Sequence, residues 1–307
     1  MMQLSGCVDM TELTDSRLIQ DNDIGIIVSL EGSEVCEPTS VPAIPEDTSV
    51  MEVHYIDVGQ GDCTLITCGG DAMLIDAGDN TKGTAVQKYL NEQGVSKLKY
   101  LVCTHHDADH IGGADVVITK FECETVFMTT EDTDTKTYRD VLAAMDYKRY
   151  SPTLPKVGER YTLGSAEFTI IAPAQLYDES NNNSISLILQ HGENRFMFTG
   201  DSEYEAELAI AAAGIDISEI TVYKAGHHGS YTSSSEMLLD IMNPRFAVIS
   251  CGRENEYGHP HDATLTRLSM RGIDVFRTDE EGTIVAVSDG TIVSFNVPPS
   301  DNALRTD

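Results

Sequence analysis

The chain reads as an α/β fold in which two strand-rich halves form two sheets sandwiched by outer helices. Three observations predict it. Short runs rich in β-branched and aromatic residues, such as Val53-His54-Tyr55-Ile56 and Phe196-Met197-Phe198, are separated by stretches of helical length. The second half repeats the alternation of the first, beyond a hairpin-like region at 150–170. Finally, polar, reactive residues gather directly after several apolar runs, where α/β proteins place their chemistry.

The 307 residues suffice for one large domain or two small ones, and a hydrophobic content of 41% supports a core. No apolar run approaches the ~20 residues that span a bilayer. Residues 1–50 carry ten acidic residues and one Arg, followed by Pro38, Pro42 and Pro45. That composition predicts a largely irregular acidic leader, with 24–28 as a short strand, ahead of a compact domain over 51–307. Leu4-Ser5-Gly6-Cys7 resembles a bacterial lipobox, although only three residues precede Leu4. The expectation is a secreted or cell-surface protein tethered through Cys7; the alternative is a cytoplasmic one.

Strands are predicted at 53–56, 64–67 and 72–75. A helix follows over 84–92, stopped by Gly94. Next come strand 99–104, helix 114–119, strand 126–128 and helix 138–145. Hairpin strands end near 171. The second half predicts strands at 185–190 and 195–198, helix 204–213, strand 222–224, helix 234–242, strand 246–250 and helix 263–270. Three short strands close the chain at 274–277, 283–287 and 291–296. The seven Cys show no Cys-x-x-Cys spacing. Cys63 and Cys68 are placed to meet across neighbouring strands, but buried free thiols are the plainer expectation for the set.

The densest chemistry is Thr104-His105-His106-Asp107-Ala108-Asp109-His110-Ile111-Gly112-Gly113, with three His and two Asp in six positions. Imidazoles and carboxylates at this density are what a hydrolytic metal site needs. The segment resembles the metallo-β-lactamase superfamily signature His-x-His-x-Asp-His. His105 matches its first His, and Asp109-His110 match its close, while Asp107 stands at the second His. That substitution, with Ile111-Gly112-Gly113, resembles the branch containing the hydrolase domain of ComEC-type competence proteins. Further blocks occur in family order across about 51–297: 57–62, 74–78, 181–184, 198–201, 224–230 and 255–260.

The resemblance implies a four-layer αββα sandwich and one or two divalent ions, Zn²⁺ or Mn²⁺. His105 and Asp107 are expected at one ion, and Asp109 and His110 at the other. The resemblance implies that Asp201 bridges the two, a role two carboxylate oxygens permit at a spacing of ~3.5–4 Å; the competing reading is a helix N-cap. Either His227 or His228 is expected to complete the ligand set of the second ion. The usual third His block is missing, with Asn183 and Ser184 near its place, and an oxygen-rich first site would suit Mn²⁺ better than a tight Zn²⁺ site. Asp76 is expected to support a ligand His. Asp57, Gln60 and Asp62 lie on a Gly-rich turn within reach of the cleft, with turn chemistry as the rival reading for both Asp residues. Lys224 is a candidate partner for substrate phosphate, or an exposed strand-end Lys. His259 is a candidate proton donor or phosphate contact. His261 is expected to start a helix, and His54 and His191 to be structural or exposed.

The implied chemistry is hydrolysis by hydroxide generated at the metal, with Asp109 orienting it and Lys224 and His259 acting on the leaving side. The ComEC-type resemblance implies a phosphodiester substrate, small or polymeric. The net charge of -30 disfavours tight binding of long DNA, since a field of that sign repels polyanions. Two other classes compete: a β-lactam or lactone hydrolase, against which Asp107 and the missing His count, and a non-catalytic metal-binding surface module.

Overall fold

The computed structural model describes residues 50–130 and 133–300. The expected leader, its short strand and the lipobox-like Cys7 lie outside the described residues. From Met51 the chain forms β1 (Met51–Tyr55), β2 (Thr64–Cys68) and β3 (Asp71–Ile75), an antiparallel meander. Helix α1 (Gly83–Glu92) then carries the chain to β4 (Lys97–Cys103), parallel to β3. Two further helices, α2 (Ala108–Ile111) and α3 (Ala114–Lys120), lead to β5 (Glu122–Met128), parallel to β4. Helix α4 (Lys136–Lys148), capped by the Thr135 hydroxyl accepting from the Tyr138 N–H, completes the first half.

The second half opens with the hairpin β6 (Arg160–Leu163) and β7 (Ala166–Ala172), then β8 (Ser186–His191) and β9 (Asn194–Phe198), all antiparallel. From β9 the connections become parallel crossovers: α5 (Tyr204–Ala212), β10 (Val222–Lys224), α6 (Glu236–Met242), β11 (Phe246–Ile249), α7 (Asp262–Ser269) and β12 (Asp274–Arg277). The sequence places the start of α6 at Ser234; the helix begins at Glu236 because the Ser235 side chain caps it. A short helix α8 (Thr278–Glu281), not expected from the sequence, turns the chain back to the first half. There β13 (Ile284–Ser288) pairs with β1, and β14 (Val293–Phe295) lies outside it.

Two seven-stranded sheets result, in the orders β14-β13-β1-β2-β3-β4-β5 and β12-β11-β10-β9-β8-β7-β6. The three closing strands therefore split between the sheets. Period-two alternation builds the layers. Met51, Val53 and Tyr55, Tyr100 and Val102, Leu187 and Leu189, and Phe246 and Val248 meet between the sheets. The opposite faces, including Leu101 and Cys103, pack under Val86, Leu90, Val117 and Val141 of the first helical layer. Ile188, Ala247 and Ile249 pack under Ile210, Leu238, Leu239 and Leu268 of the second. This is the four-layer αββα arrangement. Cys63 and Cys68 fall in different cores, and all five described cysteines are buried. No helix among the described residues is long and apolar enough to cross a membrane.

Candidate metal centre

Parallel strands aim their carboxyl ends at one edge, where open α/β sheets bind ligands. Here β3 and β4 of one sheet and β9, β10 and β11 of the other deliver Asp76, residues 104–110, Asp201, His227-His228 and Ser250. The local backbone is unusual at three of these positions. Asp76, His227 and His228 all lie in the left-handed region, at φ 58, 49 and 53°. Non-glycine residues held there mark segments whose surroundings over-determine the conformation.

The centre is built around His110 and His228, both buried. Their Nε2 atoms are 3.3 Å apart. Asp201 reaches both, with Oδ1 3.3 Å from His110 Nε2 and Oδ2 3.4 Å from His228 Nε2. Asp109 Oδ2 is 3.2 Å from His228 Nε2. The edge of a tetrahedron with bonds of ~2.0–2.1 Å is about 3.3 Å, so these separations match the donor spacing around one ion. Asp62, His110, Asp201 and His228 together offer ligand atoms all within 4.8 Å of one another. Asp201 Oδ1 is buried with no hydrogen-bond donor. The donor set fits a divalent cation.

A second group stands beside it. His105 is fully buried, its Nδ1 lies 3.3 Å from Ser184 Oγ, and its Nε2 has no hydrogen-bond partner. The nearest carboxylate oxygen to that Nε2 is Asp107 Oδ2 at 3.8 Å, on a half-exposed side chain. One cluster is closely gathered and this pair is loosely gathered.

The electrostatics follow from the crowding. Burial opposes charge on His110, yet Asp201 and Asp76 outweigh it and hold its pKa well above the usual imidazole value. His228 is raised in the same way, against its burial, by Asp201 and Asp62. Burial likewise opposes ionisation of Asp109 and Asp201, but the imidazoles push both well below the usual carboxylate range. Asp107 is lowered chiefly by the neighbouring His105 imidazole. Without metal, the surrounding carboxylates favour the charged form of both imidazoles.

The supporting contacts set the rings. Asp76 Oδ2 accepts from His110 Nδ1 at 2.8 Å, while Oδ1 accepts from the Thr104 N–H at 2.8 Å. This arrangement leaves Nε2 of His110 facing the cluster. Nδ1 of His228 lies 3.1 Å from the Ser250 carbonyl and 3.2 Å from Asp62 Oδ1. Ser184 Oγ accepts from the Asp201 N–H at 2.9 Å, tying the two halves of the site. His227 is less central, with Nε2 3.6 Å from Asp201 Oδ2 and Nδ1 3.4 Å from Glu203.

Other expected residues sit elsewhere. Lys224 is buried, its ammonium 2.5 Å from Asp62 Oδ2 and 3.0 Å from the Ala225 carbonyl, and it does not line the cleft. Asp57 is exposed and accepts from the Gly59 N–H, which is turn chemistry. The Asn183 side chain bonds the Tyr177 backbone through both its oxygen and its nitrogen. His261 occupies the N-cap position of α7, and His54 and His191 are buried and hydrogen-bonded. Thr104, which bonds Asp76 and lies 3.2 and 3.3 Å from the rings of His105 and His110, was not singled out. Its place between strand end and His cluster was the available signal.

A cleft of about 390 Å³ opens beside Asp109, lined also by Gln60, Asp79, Ala108, Asn255, Glu256 and Tyr257. Burial, then the neighbouring His228 and His227, lower His259 to about 4. A larger depression of about 670 Å³, containing Arg160 and Arg195, shares no residue with the centre.

The chain belongs to the metallo-β-lactamase superfamily, which it matches over residues 56–253. It is similar to the competence-type members: it is 29% identical to ComE operon protein 3 of Bacillus subtilis over 83% of this chain and 35% of that one. Recombination protein 2 of Haemophilus influenzae is 30% identical over 71% of this chain and 26% of its own length. Competence protein ComA of Neisseria gonorrhoeae is 29% identical over 79% and 33%. The chain thus spans about a third or less of these curated relatives. Fold, family and donor set together define a metal-dependent hydrolase-type protein with a site compatible with a divalent ion.

Proposed function

We propose that the protein is a metal-dependent phosphodiesterase acting on small or polymeric phosphodiesters. The observation that carries this is the convergence of His110, Asp201 and His228 at ligand spacing, with Asp109 3.2 Å from His228 and lining the open cleft. Two divalent ions, Mn²⁺ or Zn²⁺, would suit the donors: His110, His228, Asp109 and Asp201 would hold one at the gathered site, and His105 and Asp107 would help to hold the other at the looser one. Such ions supply Lewis acidity and make water nucleophilic near neutral pH.

The chain's own residues do the rest. Asp109 faces both the ligand cluster and the cleft, so its carboxylate orients the attacking water. His259 is neutral at pH 7. The Gly252 N–H donates to Gln60 Oε1 at 3.1 Å, which fixes the amide so that its Nε2 faces His259 Nδ1 at 3.5 Å. A donor at Nδ1 keeps the proton of a neutral imidazole on Nε2. From there His259 donates a hydrogen bond to the departing oxygen rather than acting as an imidazolium acid. The similarity to competence-type relatives supports a nucleic-acid-derived phosphodiester, and the charge of -30 favours short or single-stranded pieces over long duplex. A surface or secreted location remains part of the proposal, resting on the lipobox-like tetrapeptide at Cys7.

The test is hydrolysis of bis-(p-nitrophenyl) phosphate by protein stripped of metal and reloaded with Mn²⁺ or Zn²⁺, beside Asp109→Ala. Metal-restored activity that is lost in the variant supports the reading. Metal-loaded protein that cleaves no phosphodiester refutes it.

A further inference from the structure

The gathered site offers more donors than a four- or five-coordinate ion with an open position can use. His110, His228, Asp109 and Asp201 already make four, and Asp62 stands within ligand range as a fifth. A catalytic ion needs an open position, and closed shells belong to structural sites. Asp62 is held back by one contact: its Oδ2 lies 2.5 Å from Lys224 Nζ, and both side chains are buried. Its other oxygen stays behind the ring of His228, at Nδ1, while Nε2 faces the cluster. Burial opposes ionisation of Asp62, but Lys224 and then His228 outweigh it and keep the carboxylate charged.

The backbone around the pair is equally fixed. The Asp62 N–H donates to the Asp109 carbonyl at 3.1 Å, and the Asp62 carbonyl accepts from the Gly78 N–H at 2.8 Å. A buried ion pair seldom stabilises a fold more than apolar residues of the same volume would. Stability alone therefore gives weak reason for a lysine here.

We propose that Lys224 is a positioning residue that withholds Asp62 from the metal shell, keeping one coordination position free for water and substrate. This rests on the metal centre of the preceding section and assigns Lys224 a role away from substrate phosphate. Lys224→Met would release Asp62 to rotate toward the ion and close the shell.

The experiment uses the full chain, stripped of metal, with Co²⁺ as the probe. Visible absorption of bound Co²⁺ weakens as ligands are added, and affinity is read by competition with a chromophoric chelator. Lys224→Met is expected to weaken the absorption, tighten binding by about tenfold or more and lower kcat. Lys224→Met/Asp62→Asn is expected to return the absorption to that of the unaltered protein. An unchanged spectrum in Lys224→Met overturns the proposal, whether KM rises, as for a substrate contact, or affinity alone changes, as from lost repulsion. If Lys224→Met shows no cooperative melt, the double variant decides by itself, since it carries no uncompensated buried charge. A spectrum like that of the unaltered protein then supports the proposal, and an altered one shows Asp62 to be a ligand already and overturns it. Absorption and affinity are read without substrate, so a protein that binds Co²⁺ yet cleaves no phosphodiester still tests this role. A protein that binds no divalent ion overturns both readings.

Discussion

His110 Nδ1 and Asp76 Oδ2 are 2.8 Å apart, and neither side chain reaches solvent. Asp76 also accepts from the N–H and hydroxyl of Thr104, so both its oxygens are committed to donors. An amide in its place would turn a donor toward either His110 or Thr104. Asp76→Asn is therefore expected to weaken divalent-ion binding by about 10–100-fold without abolishing the fold. Chelator competition measures it, and unchanged affinity would show that the ring needs no such anchor.

Metal uptake should expel protons. In ion-free protein the folded pKa values of His110 and His228 are raised above the ordinary imidazole value of ~6.5. A raised folded pKa means stability that is fully present below ~6.5 and is lost as pH climbs through the raised value. Ion-free protein should accordingly melt at progressively lower temperature as pH increases from neutrality, while metal-loaded protein should not share that decline. Affinity should rise over the same window, with up to about two protons released per ion bound. Dye-monitored titration in weak buffer counts them, and no release would contradict the charge assignment.

Gly61→Ala should damage the site from outside it. Gly61 sits at φ 132°, and a Cβ there would lie 2.3 Å from the Asp109 carbonyl oxygen. Backbone opposes it, so the loop or α2 must move. The expected cost is about 1–3 kcal/mol of stability, with loss of metal-dependent activity because Asp109 moves with its carbonyl. A thermal melt equal to that of the unaltered protein would mean that the loop yields freely.

Tyr257 is exposed, lines the cleft and stacks on His259 with ring centroids 5.7 Å apart. One face of its ring is thus occupied by His259. If the other face receives a flat ring of the substrate, Tyr257→Leu should raise KM for an aryl or nucleoside phosphodiester about two- to tenfold with little change in kcat, and Tyr257→Phe should restore it. Equal effects on an alkyl phosphodiester would remove the stacking account.

The layers and their elements were legible because they depend on local patterns. Tyr100 and Val102 against Leu101 and Cys103 show a strand buried on both faces, and the 104–113 block announces itself by composition. What escaped were facts of distant approach. Nothing near Lys224 says that Asp62 will neutralise it from 162 positions earlier, so a strand-end lysine read as a surface or substrate group. Asn183 and Ser184 look alike in sequence as polar neighbours, yet one clamps the Tyr177 backbone while the other joins His105 to Asp201. The choice within His227-His228 likewise needed the ring positions, which put Nε2 of His228 closer to Asp201 than that of His227.

The pairing of β1 with β13 bears on the order in which the molecule matures. During synthesis β1 emerges early, but its second neighbour is made only when Ile284–Ser288 is translated. Until then one edge of β1 is unpaired, an exposed strand edge of the kind that invites association with other chains. The ligand set is split in the same way, since His110 is made long before His228 and neither half can hold an ion as the whole does. A nascent chain of this design completes its candidate metal centre late. The long-range contacts that close the first sheet put this chain among topologies that fold slowly.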